Sequence, residues 1–345
     1  METIISFAVV FAVLVLFHEF GHFVAAKLVG IRVYEFSVGF GPRIANRRIG
    51  ETVYSLRGVP LGGYVKLAGM DRSESEAEDI GRDDPRSYYS KPIWAKLLTF
   101  AAGPFMNIVL AVLLYSVIFG LTGVPVVSIV NVTPGSPADL AGMRANDVVV
   151  SVDGRGIQMA LELFETISSN PGEELTFTLN RDGAEIVVTA VPQAAEGGQG
   201  RLGIEIGEIN VKKNVGQTVS AALAYTMEIS RMILAFLGKV LTGRAAADFT
   251  GPIGIFRVIR ATAEATPTLS AFVLSIMVLA AYLSTNLALF NLFPIPVLDG
   301  GWLVLIAVEA VRGKPLSEEH EAIYRFVGFV MIMVLFILVT LKDVF

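Results

Sequence analysis

Two imidazoles and a carboxylate stand close together near the start of the chain: His18, Glu19 and His22, in the run HEFGH. On a helix, residues four apart share a face one turn apart, so both imidazoles can reach one metal ion. Glu19 sits beside them, placed to take up and return the proton of a hydrolytic water. The chain has 3 His and no Cys, so two of its imidazoles stand at ligand spacing and thiolate ligands are excluded. A satisfied helical His pair is the plainer reading of such a motif. Its surroundings weigh against that: FAVVFAVLVLF precedes it and FVAAKLVG follows. Ionisable groups inside a membrane span are costly enough to mark function.

A catalytic zinc site takes three protein ligands and keeps one position open. The third donor must come from elsewhere in the chain. His320 stands beside a run of glutamates and is poorly placed. Asp299 stands in NLFPIPVLDGG, where Pro294 and Pro296 must break or distort a helix. Irregular backbone at membrane depth normally lines a cavity, which makes Asp299 the best candidate to complete the set. Its alternative role is to cap the helix opening at Gly300.

The elements that must position these groups read as membrane spans. With 345 residues, 53% hydrophobic and 17% charged, the chain is too apolar for an ordinary soluble protein. A net charge of −5 without a dense basic cluster argues against nucleic acid as a partner. Met-Glu-Thr lacks the positive region of a cleaved signal peptide, so the first apolar segment is expected to remain as a span. Four crossings are expected, at about 4–29, 93–121, 269–293 and 322–341. The connection 31–92 is rich in Arg and Lys, among them Arg32, Arg43, Arg47, Arg48, Arg57 and Lys66, and should stay cytoplasmic. Within it, TVYSLRGVPLGGYVKL (Thr52–Leu67) sets β-prone runs around a Gly-Pro-Gly cluster. That stretch reads either as an ordinary loop or as hairpins forming a small sheet beside the site. Asp71–Asp84 is acidic and reads as a loop. In the second span, Gly103 suits close helix packing, and Asn107 reads as a packing contact in preference to a site residue.

Between the second and third spans the character changes. Residues 123–208 show β runs, a Pro-Gly-Ser-Pro turn, short helical stretches and Asp-Gly turns, an order that resembles a PDZ domain. Such a domain either accepts an extended peptide as an added strand or blocks access sterically. In the region 209–265, Val215–Leu241 is apolar but carries Glu228, Arg231 and Lys239. It could span. An amphipathic helix on the outer surface keeps the downstream orientation consistent and is the expectation. The fold class expected is therefore a polytopic α-helical membrane protein of about four transmembrane helices. It carries a membrane-associated β-hairpin element in its N-terminal core (1–122) and an inserted extracytoplasmic PDZ-like α+β domain. The C-terminal membrane core is 266–345, with the LDG motif at 298–300. Side-counting puts Asp299 and the HEFGH motif towards the same cytoplasmic half.

HEFGH in the first span, AGPFMN in the second, the PDZ-like insert, TGPIGI at Thr250–Ile255 and NLFPIPVLDGG together resemble the site-2 protease (M50-type) family of intramembrane metalloproteases, in a single-PDZ form. The resemblance implies one Zn2+ held by His18, His22 and Asp299, with Glu19 as catalytic base. It implies that Asn291, and secondarily Asn286, bind or orient substrate backbone, and that the β element pairs with substrate. Substrates would be single-span membrane proteins such as an anti-sigma factor or a remnant signal peptide, cut in the bacterial cytoplasmic (inner) membrane. Membrane lipid, and a peptide or regulator at the PDZ-like domain, would be further partners. The competing class is a non-catalytic membrane PDZ scaffold with a structural metal. A structural zinc wants four protein ligands, and the sequence offers no convincing fourth. A metal transporter would be expected to carry further His-rich tracts, and there are none.

Overall fold

The computed structural model describes residues 2–70, 79–195, 197–244 and 251–344. Most of the expected acidic loop (71–78) and Thr250 of TGPIGI lie outside the described residues. In chain order the elements are α1 (Glu2–Leu28), β1 (Val33–Ile49), β2 (Thr52–Leu67), α2 (Ile93–Thr122), β3 (Val124–Val132), α3 (Pro137–Leu140), β4 (Val148–Val152), β5 (Arg155–Gly156) and α4 (Ala160–Ser169). There follow β6 (Leu175–Arg181), β7 (Ala184–Ala190), β8 (Gln193–Ala194), β9 (Gly200–Arg201), β10 (Ile204–Val211), α5 (Val215–Leu241), α6 (Pro252–Ala265), α7 (Leu269–Asn291), α8 (Asp299–Arg312) and α9 (Glu318–Val344).

Among the described residues, 5 helices are long and apolar enough to cross a membrane: Thr3–Leu28, Ile93–Thr122, Val215–Val240, Leu269–Asn291 and Glu318–Asp343. Four coincide with the expected spans. The additional one, in α5, has a mean hydropathy of 1.3 against 1.9 to 2.5 for the others, so its charges leave it the least suited to lipid. α6 was not anticipated; its amphipathic sequence is shorter than a span.

The chain divides into two compact units, Met1–Leu114 with Ile229–Phe345, and Tyr115–Glu228. In the first, α1 and α2 approach backbone to backbone: a Cβ at Gly21 would fall on the Ala102 carbonyl. Val10 and Leu14 of α1, Leu110 of α2 and Ala280 of α7 form one buried cluster. Phe23 of α1 meets the rings of Phe36 and Tyr54, which seats the β1–β2 sheet against α1.

That sheet departs from a simple hairpin. The Gly58–Gly63 stretch, expected as a turn, continues as bent strand, and β2 pairs with both sides of β1. Phe36 faces Tyr54 on one side and Val65 on the other, while Ala45–Ile49 pairs with Thr52–Leu56. In space the segments run 43–49, 52–59, 33–40, 63–67, so residues 63–66 form an edge of this sheet among the described residues. After α7 the two prolines end the helix as anticipated, and the chain folds back to begin α8 at Asp299. Glycines are required there, because a Cβ at Gly300 would meet the Leu292 and Phe293 carbonyls and one at Gly301 the Ile295 carbonyl.

The second unit holds an antiparallel sheet of order β10-β3-β4-β6-β7 with β5 paired to β4. Its core includes Val127, Ile129, Leu163, Phe177 and Leu179. Both Asp-Gly pairs, Asp153-Gly154 and Asp182-Gly183, take positive φ at both residues, as tight hairpin turns demand.

Candidate metal centre

α1 presents His18 and His22 from one face, their ring centres 4.8 Å apart and their planes at 82°. The two Nε2 atoms face each other at 3.2 Å. Asp299, the first residue of α8, meets both: Oδ2 is 3.1 Å from His18 Nε2 and Oδ1 is 3.3 Å from His22 Nε2. Residues from opposite ends of the chain thus converge on one point, with His22 and Asp299 each 8% exposed. A carboxylate so buried must be paired or bound to a metal.

Two observations test whether a metal fits. Asp299 Oδ2 is buried and receives no hydrogen bond. A tetrahedron with about 2.0 Å from centre to corner, the usual zinc–nitrogen and zinc–oxygen length, has edges of about 3.3 Å. The three separations of 3.1, 3.2 and 3.3 Å match that edge. Among the described residues, His18, His22 and Asp299 form the one cluster of three or more His, Cys, Asp or Glu able to hold a metal ion. Three protein ligands leave a position open, the catalytic pattern.

α2 supplies what orients the imidazoles. His22 Nδ1 donates to the Thr99 carbonyl at 2.8 Å, which fixes the tautomer and leaves Nε2 free as a lone-pair donor. His18 Nδ1 lies 3.2 Å from the side-chain amide of Asn107, a fully buried residue whose Oδ1 is otherwise without a partner. Turning that amide brings Oδ1 onto the Nδ1–H and satisfies both groups, and the hydrogen-bond network is what decides such assignments. Asn107, expected as a packing contact, therefore faces the site. Its backbone carbonyl also accepts from Ser284 Oγ of α7 at 2.8 Å. Gly103 lies between these two supports, where a Cβ would strike the His22 ring and come within 2.9 Å of His18 Cε1. Thr99, Gly103 and Asn107 recur every four residues and so share one face of α2. The run AGPFMN held the signal for this; the spacing of its Gly and Asn is what sequence reading undervalued. Phe100 stands edge-on to His22 at 6.0 Å and stacks on Trp302 of α8 at 5.0 Å, forming an apolar wall beside the cluster.

Glu19 follows His18 on α1 and interacts electrostatically with both imidazoles and Asp299. A Cβ at Gly63 would lie 3.0 Å from Glu19 Cγ, so this edge segment passes the Glu19 side chain at Gly63. The expected substrate-binding amides are not drawn into the cluster. Asn286 Nδ2 donates to the Tyr282 carbonyl of its own helix at 2.9 Å. Asn291 is the last residue of α7. His320 is engaged elsewhere, 2.6 Å from Ser317 Oγ. Two imidazoles, one carboxylate meeting both and a second carboxylate beside them are the groups that metal-assisted hydrolysis needs.

A model of the family described as Peptidase family M50 matches residues 6–335. The chain is 32% identical to the zinc metalloprotease RasP of Geobacillus kaustophilus, over 100% of this chain and 98% of that one. It is 28% identical to the regulator of sigma-W protease RasP of Bacillus subtilis, again over 100% and 98%. Among solved structures, the PDZ domain of an SdrC-like protein from Listeria monocytogenes aligns with 23% of this chain and 85% of its own, at 18% identity and a TM-score of 0.22.

Proposed function

Because the chain belongs to peptidase family M50, the site-2 proteases, we propose that it cuts single-span membrane proteins within the bilayer, using one zinc ion held by His18, His22 and Asp299. It is a zinc metalloendopeptidase and a multi-pass membrane protein. The observation that carries the reading is the meeting of Asp299 with both imidazoles in a buried cluster. When bound, zinc polarises a carbonyl and brings the pKa of water towards neutrality.

The chain's own residues supply the rest. Glu19 takes a proton from the hydrolytic water and delivers one to the leaving amine. Thr99 and Asn107 hold the imidazoles in the ligating tautomer. A transmembrane substrate has its backbone groups locked in helical hydrogen bonds and must unwind to be cut. The edge segment 63–66 offers strand pairing in compensation, and its closeness to Glu19 supports that role. Asn291 and Asn286 would hold substrate backbone from the side of α7. The PDZ-like domain would receive a peptide or regulator.

The basic connection between α1 and α2 supports a cytoplasmic placement for that segment, in the bacterial inner membrane. The site would then lie in the cytoplasmic half, the PDZ-like domain outside and α5 along the outer surface. A relative named for regulating sigma-W supports substrates such as anti-sigma factors. Purified protein in lipid nanodiscs, incubated with a single-span substrate, tests the reading. Cleavage within the span that stops on chelation and returns with added zinc is expected. Cleavage indifferent to chelator, or zinc binding without cleavage of any single-span protein in a panel, would overturn it in favour of a scaffold.

A further inference from the structure

Fifteen or so ångströms along α8 from Asp299, by the helical rise of ten residues, a second contact ties α8 to α2, the helix that supports the imidazoles. Lys96 of α2 is 0% exposed, and its Nζ lies 2.6 Å from Glu309 Oε1 of α8. The ammonium also sits over the rings of Tyr88, at 5.3 Å, and Tyr89, at 5.8 Å. Lys96 stands three residues before Thr99 and seven before Gly103, which places it on the α2 face that supports the imidazoles. Glu309 stands on the helix whose first residue is Asp299. One helix therefore carries the supports for both histidines and the lysine, and the other carries the third ligand and the glutamate.

We propose that Lys96 and Glu309 are a positioning pair, whose buried ion pair fixes the axial register of α8 on α2 and so sets where the Asp299 carboxylate meets His18 and His22. This rests on the zinc reading of the site and assigns two residues that touch neither metal nor substrate. An ion pair whose ammonium is fully buried, with its carboxylate only 16% exposed, is poorly explained by stability, since apolar residues of similar volume often serve as well or better. Its best-attested use is to select one register among several. α8 needs such selection. It starts after the break between helices rather than continuing from α7, and its other contacts with α2 are apolar, the flat Trp302–Phe100 stack at 13° and Ile306 beside it, which carry no directional bond to fix a register. A slip of one helical turn would carry Asp299 about 5.4 Å, whereas functional groups tolerate only about 0.5 Å.

The test uses the full chain in nanodiscs, with zinc affinity measured by competition against a chromophoric chelator. Because the protein has no cysteine, two can be added for nitroxides, at the exposed Leu98 of α2 and Val304 of α8. Lys96→Met and Glu309→Gln are expected to weaken zinc binding at least tenfold and to broaden the Leu98–Val304 distance distribution. The apolar double variant K96M/E309M is expected to match the parent in melting temperature while keeping both defects. The swap K96E/E309K is expected to recover affinity and a narrow distribution. Parental zinc affinity in K96M/E309M, or in E309Q should K96M not fold, would overturn the proposal. A parent chain that binds no zinc would instead sink the metal reading itself, so the two failures are distinguishable.

Discussion

Adding a single methyl group at Gly103 tests the geometry of the centre without altering any ligand. A Cβ there would lie 2.6 Å from His22 Cε1 and 2.9 Å from His18 Cε1, where ordinary contact begins at 3.4 Å. His22 Nε2 would be closer still, so relief requires a displacement of more than about 0.8 Å of the His22 ring or of α2. Neither moves freely, since Nδ1 of that ring is tied to Thr99, and Gly21 holds α1 against Ala102. Catalytic groups must be held to within about 0.5 Å, so the imidazole leaves its working position. Overpacking of this kind costs about 1–3 kcal/mol of stability. Disturbing what orients a metal ligand costs about 10–100-fold in affinity, or about 1.4–2.7 kcal/mol. Gly103→Ala should thus bind zinc at least tenfold more weakly by chelator competition and lose cleavage in proportion at limiting zinc. Gly120→Ala, on the same helix with nothing within 4 Å of its added Cβ, is the control and should match the parent. A Gly103→Ala protein with parental zinc affinity and full cleavage would refute the packing argument, and with it the placement of α2 against the imidazoles.

Glu19→Gln should keep one zinc per chain by metal analysis while cleavage falls by about 10²–10⁴-fold, the usual worth of a general acid–base. Asp299→Ala should lose most bound zinc at equal protein folding, as judged by circular dichroism. Asn107→Leu should weaken zinc binding about 10–100-fold by leaving His18 Nδ1 without an acceptor. Glu35 gives a pH signature in the β sheet. Burial pushes its carboxyl up, but hydrogen bonds from Ser55, Arg57 and Arg43 prevail and hold it at about 2, below the ordinary 4.5. A depressed carboxyl stabilises the fold above its ordinary value and loses that contribution as pH falls towards 2. The parent's melting temperature should therefore drop between pH 5 and pH 3 more steeply than that of Glu35→Gln, and equal slopes would discount the network.

The parts of the site that were legible in sequence share a cause. His18, Glu19, His22 and Asp299 are ionisable residues in apolar surroundings, and lipid makes each of them conspicuous. Pro294 and Pro296 announced the break that frees α8, because proline acts on its own backbone wherever it sits. The Asp-Gly turns of the second unit were readable for the same reason, since their backbone demand is local.

What stayed hidden depends on which face of a helix meets which neighbour. In a soluble protein an apolar stripe reveals the inward face, but α1 and α2 are apolar all round, so their sequences carry no such mark. Asn107 could then be valued only as one amide among lipid-facing residues, until the structure set it against His18. Lys96 stands at the start of the second span, where a lysine reads as one more basic residue at a membrane boundary, and it is wholly buried against Glu309. The bent β2 strand was missed for a related reason. Gly58 to Gly63 has the composition of a turn, yet pairing on both sides of β1 outweighs it and leaves 63–66 as an edge beside Glu19. The ligands of such a centre are thus written in residue type, whereas the groups that aim them are written in helix register, which only packing reveals.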